Sequence, residues 1–226
     1  LTTQEDYLNG QVILLNKPLS WSSFQGVNKL KYFLIRKYNL PKKFKIGHAG
    51  TLDPLATGLL IICTGKFTKK ITEIQSQPKE YTGTFFLGAT TPSYDLETNI
   101  NALFPTNHLT ENVIKSTTQQ FIGEIDQKPP IFSAIKKDGI RLYEHARAGI
   151  SVEIASRKTT IYEFEITRIA LPEIDFRVVC SKGTYIRSLA FDFGLALQSG
   201  AHLSKLCRTK IGNYSLTDAL QISDFD

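Results

Sequence analysis

One aspartate occupies a run that could do chemistry: Gly47-His48-Ala49-Gly50-Thr51-Leu52-Asp53-Pro54-Leu55-Ala56-Thr57-Gly58, followed at once by the apolar residues 59–63. Glycines at 47, 50 and 58 permit unusual backbone angles and close approach, and Pro54 stiffens the turn just after the carboxylate. Such a loop holds one acid in a fixed place, where it can serve as a nucleophile or a general base. Taken alone, an Asp-Pro pair in a loop is more often a turn or a helix cap. No second acid lies near it in sequence and its surroundings are basic, which disfavours the two-carboxylate chemistry of sugar hydrolysis. Four scattered histidines, and Cys63, Cys180 and Cys207 without Cys-x-x-Cys spacing, predict no metal site and no disulfide framework. The cysteines read as reduced, partly buried small hydrophobes.

Charge surrounds this acid unevenly. Residues 36–70 carry Arg36, Lys37, Lys42, Lys43, Lys45, Lys66, Lys69 and Lys70, with Asp53 as their one acidic residue. A second basic region holds Lys182, Arg187, Lys205, Arg208 and Lys210 against Asp192. Brought together by folding, the two would form a phosphate-tracking surface; apart, each is a solvated positive face. The longest apolar run is too short to span a membrane, and the polar, acidic start at residues 1–6 is unlike a signal peptide, so the expected location is the cytoplasm.

The elements that must position Asp53 read as one mixed α+β domain without repeats or linkers. Residues 11–16 form a strand, and Ser22 or Ser23 caps an amphipathic helix through Lys37 with Phe24, Val27, Leu30 and Leu34 on one face. Residues 58–64 read as a buried strand, 66–75 as helix and 80–89 as extended chain. Residues 160–169 alternate Tyr162, Phe164 and Ile166 with polar neighbours, and 175–181 alternate Phe176, Val178 and Cys180. A helix over 185–198 and a strand over 203–211 follow. Between the extended chain at 80–89 and the strand at 160–169, Gln127-Lys128-Pro129-Pro130 and Lys137-Asp138-Gly139 mark a surface excursion carrying a short helix, 142–148, that Gly149 ends.

The run Gly-Thr-Leu-Asp-Pro-Leu-Ala-Thr-Gly resembles the signature of the TruB family of pseudouridine synthases. Further motifs match in the family's order: Gly10-Gln11-Val12-Ile13-Leu14-Leu15-Asn16-Lys17-Pro18, then Lys79-Glu80-Tyr81, then Pro129-Pro130-Ile131-Phe132-Ser133-Ala134 with Arg141-Leu142-Tyr143-Glu144. Cys180-Ser181-Lys182-Gly183-Thr184-Tyr185-Ile186-Arg187 and Gly200-Ala201-His202-Leu203 with Leu206 complete the set. The resemblance implies a pseudouridine synthase fold: a mixed, largely antiparallel β-sheet flanked by helices, with a central active-site cleft and an inserted RNA-clasping segment at about 124–155 of a catalytic domain spanning 1–226. Many relatives append a small RNA-binding PUA domain. Only about a dozen residues follow Tyr214 here, so none is expected. The sequence holds no methionine, so Leu1 is not expected to be the translation start. Many members also carry two arginines after the leucine of the last motif, where this chain has Leu206-Cys207-Arg208.

What the resemblance implies chemically is the isomerisation of uridine-55 in the T-loop of tRNA, without cofactor or metal. One carboxylate can suffice because the leaving uracil is retained and becomes the next nucleophile. Asp53 would attack C1′ of the ribose or take the C2′ proton to give a glycal. Arg187 is the family-matched partner of that carboxylate, and Tyr81 would stack on the target base and remove the C5 proton. Tyr185 and Leu206 would wall the base pocket, and His48 would fill the place of the flipped nucleotide. Lys17 would support the catalytic loop, Asp95 would contact the RNA or His48, and Lys69 and Lys70 would contact phosphates. The expected partner is the T-arm stem-loop of tRNA, with no membrane, obligatory protein partner or guide RNA. A non-catalytic RNA-binding or tRNA-chaperone module is the alternative, needing only the basic surface.

Overall fold

The computed structural model describes residues 3–133, 135–137, 139–150 and 152–225. Leu1, Thr2, Ala134 and Asp138, each part of a run read above, lie outside them. Along the chain, α1 (Gln4–Asn9) is followed by β1 (Val12–Lys17), α2 (Ser23–Tyr38), β2 (Ile46–His48) and β3 (Ala56–Thr64). A 3-10 turn over Gly65–Lys70 leads into α3 (Ile71–Ser76), β4 (Lys79–Leu87), β5 (Ala89–Thr90), β6 (Ala102–Leu103) and α4 (Glu111–Thr117). Then come β7 (Gly123–Gln127), β8 (Lys136–Lys137), β9 (Ile140–Arg141), α5 (Leu142–Arg147), β10 (Arg157–Ala170) and β11 (Glu173–Cys180). The described chain closes with α6 (Ile186–Ala196), β12 (Ala201–Ile211), β13 (Tyr214–Ser215) and two short 3-10 turns. This is the expected α+β class, with a mostly antiparallel sheet flanked by helices. Among the described residues no helix is long and apolar enough to cross a membrane.

The chain forms two compact units, one from the residues up to Thr82 and from Leu206 onward, the other from Gly83–Lys205. In the first, strand neighbours run β1-β3-β12-β4, with β2 added to β3 and β13 to β12. β1 lies antiparallel to β3, Val12 opposite Cys63 and Lys17 opposite Gly58, while β12 runs parallel to β3 with Leu206 opposite Ala56. Alternate residues of β3 serve two cores. Leu60 and Ile62 meet Leu15, Val27, Leu30, Leu34, Leu40, Phe44 and Phe225, and Leu59, Ile61 and Cys63 meet Ala49, Ile74 and Ile211. A strand covered on both faces needs a continuous apolar run, which is what residues 59–63 supply.

α2 begins where its cap was expected. The Ser22 hydroxyl accepts from Gln25 N, and the Gln25 side chain accepts from Ser22 N at 2.7 Å. Phe24 departs from the expected face, being 68% exposed. At 100° per residue it sits about 100° from the centre of the buried face, to which Ser23 and Gly26 contribute with Val27, Leu30 and Leu34. Residues 66–70 are 3-10 rather than α-helical. The Thr68 hydroxyl donates to Gly65 O at 2.8 Å, and Gly65, at φ +51°, packs so closely on the Leu8 carbonyl that the chain must turn tightly there.

In the second unit β4, β11, β10 and β7 are successive neighbours. Phe85, Phe121, Phe164, Phe176 and Phe193 form an aromatic core, Phe85 stacked on Phe176 at 4.1 Å. β11 alternates as read, with Ile174, Phe176, Val178 and Cys180 buried. β10 alternates as read at Phe164 and Ile166, which are buried, but Tyr162 is half exposed and Ile161 is buried instead. A register shift between Ile161 and Glu163 inserts an extra residue against β11, and such a bulge reverses which neighbours face the core. All three cysteines are free, Cys63 and Cys180 buried and Cys207 half-buried.

Candidate active site

Asp53 lies half-buried in the loop from β2 to β3, and this loop is tied from three directions. From the start of α2, the buried Ser23 hydroxyl accepts from Leu52 N at 2.8 Å and donates to Leu52 O at 3.1 Å. From the end of β1, the fully buried Lys17 ammonium donates to Pro18 O at 3.0 Å, Trp21 O at 2.6 Å and Pro54 O at 3.4 Å. From β12, the Arg208 guanidinium, 1% exposed, donates Nε to Leu59 O at 2.8 Å and Nη2 to Gly50 O at 3.0 Å. The residues immediately before and after Asp53 are thus held by Ser23 and Lys17, and Arg208 bridges the loop's two shoulders.

Two buried cations beside one carboxylate shape the local field. Burial pushes the Lys17 ammonium down to about 8, with Asp53 opposing the shift and Arg208 adding to it. Burial and then Arg208 also hold the His48 imidazole below its ordinary value, a backbone contact with Gly50 opposing them. Its Nδ1 is buried without a partner in good hydrogen-bond geometry. A neutral ring on β2 suits stacking better than a salt contact.

Gly58 permits the close crossing of β3 and β12. It sits at φ +101°, and a Cβ there would fall 2.4 Å from the Arg208 carbonyl. Leu206, half-buried on β12, accepts a hydrogen bond at its carbonyl from the Thr57 hydroxyl at 3.3 Å. Tyr81, 9% exposed, belongs to the β4 portion of the same unit. Lys69 and Lys70 are exposed in the 3-10 turn, Lys70 Nζ lying 4.0 Å over the Phe67 ring.

The second unit gathers Tyr185, Arg187 and Asp95 around the start of α6. Gln127, 2% exposed, clamps the Tyr185 backbone by donating Nε2 to its carbonyl at 3.1 Å and accepting from its N–H at 2.8 Å. Arg187 donates Nη1 to Phe132 O at 2.8 Å, which ties it to the Pro129-Pro130 motif. Its Nε lies 3.6 Å from Asp95 Oδ2, both side chains almost fully buried. Asp95 Oδ1 also accepts from Glu97 N at 2.9 Å. Of the expected site residues, Lys17, His48, Asp53 and Leu206 therefore share one neighbourhood, with Tyr81 in their unit, and Asp95, Tyr185 and Arg187 share another.

Sequence reading missed Arg208 as a support of the Asp53 loop, along with Ser23 and Gln127. One signal was available for Arg208: an arginine two residues from Leu206 in a strand that also carries apolar Leu203 and Ile211. Ser23 and Gln127 carry none, since one looks like a helix cap and the other like a loop residue. Among the described residues no group of three or more His, Cys, Asp or Glu side chains is placed to hold a metal ion.

The profile of the TruB family pseudouridylate synthase, N-terminal domain, matches residues 36–186. A tRNA pseudouridine synthase B of Flavobacterium johnsoniae is 75% identical over 224 residues, 99% of this chain and 98% of that protein. The protein of the same name from Phocaeicola vulgatus is 54% identical over 97% of this chain and 93% of its own length. Among solved structures, a Cbf5-Nop10-Gar1 complex contains a chain 29% identical with a TM-score of 0.73. The match covers 99% of this chain and spans 55%, about half, of that one. A family profile over two thirds of the sequence, near-full-length relatives and the matching fold agree with the motifs around Asp53: the chain belongs to the TruB family of pseudouridylate synthases.

Proposed function

We propose that this chain isomerises uridine-55 in the T-loop of tRNA to pseudouridine, in the cytoplasm, with tRNA as its only obligatory partner. The carrying observation is the Asp53 loop, braced by Lys17, Ser23 and Arg208 within a chain 75% identical to a tRNA pseudouridine synthase B. The target nucleotide leaves its stack, and Asp53 starts the break of the N1–C1′ bond, either by attack on C1′ or by taking the C2′ proton. The freed uracil anion turns and C5 bonds to C1′ as the Asp53 oxygen leaves C1′, or as Asp53 returns the proton to C2′ of the glycal; the C5 proton then departs by way of Tyr81 and N1 takes up a proton. Arg187 is the cation that partners the Asp53 carboxylate, and Tyr185 and Leu206 bound the base. His48 supports the vacated stack, Asp95 orients Arg187, and the segment at about 124–155 clasps the stem-loop. In this reaction the leaving base is retained, so one fixed carboxylate suffices where hydrolysis needs two.

Pure protein incubated with unmodified tRNA transcript, without guide RNA, partner or metal, is expected to form pseudouridine at position 55. Asp53→Asn or Asp53→Ala should abolish it while RNA affinity stays within about threefold, because phosphate contacts supply binding and the carboxylate supplies chemistry. Clear turnover by either variant rejects the mechanism. An active variant-independent effect on tRNA folding with no pseudouridine would favour the chaperone reading instead.

A further inference from the structure

Outside the Asp53 neighbourhood, α2 carries a groove of about 530 Å³ lined by Lys29, Tyr32, Phe33, Arg36, Lys37 and Phe225. Among the described residues, its lining is three cations and three aromatic rings with no acid. From Tyr7 to Leu52 the sequence holds eight lysines and arginines, Lys17, Lys29, Lys31, Arg36, Lys37, Lys42, Lys43 and Lys45, and no aspartate or glutamate. Asp224, next to Phe225 in sequence, accepts from Gln221 N at 2.7 Å. Tyr32 is 66% exposed, a cost in water for a ring that serves no core. Phe33 packs edge-on against Phe225 at 5.3 Å, and Lys37 Nζ stands 5.0 Å over the Phe33 ring. A positive groove interleaved with aromatic faces is the chemistry of single-stranded nucleic acid: phosphates on the cations, bases on the rings.

Position supports the same occupant. Ser23, at the first turn of α2, holds Leu52 directly. Lys29 and Lys37 lie six and fourteen residues further along the helix, about 9 and about 21 Å away at 1.5 Å per residue. An RNA whose target nucleotide is at Asp53 has other nucleotides within that reach.

We propose that this groove binds an unpaired segment of the substrate RNA outside the T-arm, its bases on Tyr32 and Phe33 and its phosphates on Lys29, Arg36 and Lys37. The assignment rests on the tRNA reading above. The test compares the wild type with Lys29→Gln/Arg36→Gln/Lys37→Gln, with Tyr32→Ala and with Tyr32→Phe. Binding is measured by fluorescence anisotropy on a labelled oligouridylate, whole tRNA transcript and a T-arm hairpin.

The triple variant and Tyr32→Ala should bind oligouridylate at least fivefold more weakly and need correspondingly more tRNA for half-saturation. The hairpin should shift less than twofold, and Tyr32→Phe, which keeps the ring, should bind like wild type. Losing three phosphate contacts should also flatten the log–log salt dependence of oligouridylate binding by about 2, at about 0.7 per contact. Unchanged oligouridylate and tRNA binding, or an equal loss on hairpin and whole tRNA, overturns the proposal. So does a wild-type dimer that the variants lose while RNA binding stays intact, since the groove would then seat a second copy. If the wild type forms no pseudouridine in tRNA, it is the functional reading that fails, and oligouridylate binding still decides the groove.

Discussion

At the scale of single residues, the side chains that hold Asp53 matter as much as the acid. Arg208 spans two backbone carbonyls with a rigid fork, whereas a lysine presents one compact charge that cannot reach both. Arg208→Lys should therefore lower the single-turnover rate at saturating tRNA at least tenfold while half-saturation changes less than threefold. A loss confined to affinity would mark Arg208 as an RNA contact instead. Lys17 gives a pH signature. Its folded value, about 8, lies below the usual 10.5, so above pH 8 the folded state gives up a proton that the unfolded chain keeps until about 10.5. The unfolded state binds more protons in that window, so Lys17's contribution to stability rises with pH while its grip on Pro54 O weakens. The single-turnover rate should fall with an apparent pKa near 8 without any drop in melting temperature attributable to Lys17. A rate flat to pH 9 would show that the charge is dispensable.

At the scale of elements, β3 was legible from its continuous apolar run, α2 from its cap and apolar face, and β11 from its alternation. Tyr162 was misread because a bulge has no signature in an alternating string, and Phe24 because three good apolar positions invite a fourth. The loop itself could be read from its glycines, and the resemblance named Lys17 as its support, but the ties from Ser23 and Arg208 end on the loop's backbone, whose acceptors are invisible in sequence. Two element-scale predictions follow from geometry. Gly58→Ala puts a Cβ into the Arg208 carbonyl at a positive φ and should cost about 3 kcal/mol or more, read as a lower melting temperature. An unchanged melting temperature would mean that the β3–β12 crossing has slack. On α6, burial pushes the Asp192 carboxyl up to about 6. Its folded value exceeds the unfolded 3.8, so the folded state binds more protons between these values and stability falls as pH rises through them. Asp192→Asn should therefore stabilise at pH 7.5 by about 1 kcal/mol, solvent screening being allowed for, and give no gain at pH 3. Equal effects at both pH values would remove titration as the cause.

At the scale of the whole molecule, positive charge and fixed chemistry divide the work. Reversing Lys69 and Lys70 to glutamate should weaken tRNA binding and flatten its salt dependence while uridine-55 remains the residue modified. A changed modification site would mean that these lysines help choose the uridine. The Asp53 loop also sets a temporal order. Its braces come from the first strand, the first long helix and a strand that ends at residue 211, so its longest tie spans 158 positions from Gly50 to Arg208. A chain emerging from the ribosome can build β1, α2 and β3 early, yet it cannot complete the bracing of the Asp53 loop until Arg208 has left the exit tunnel. Truncated or stalled nascent chains that lack Arg208 would thus hold RNA-attracting charge without a set carboxylate.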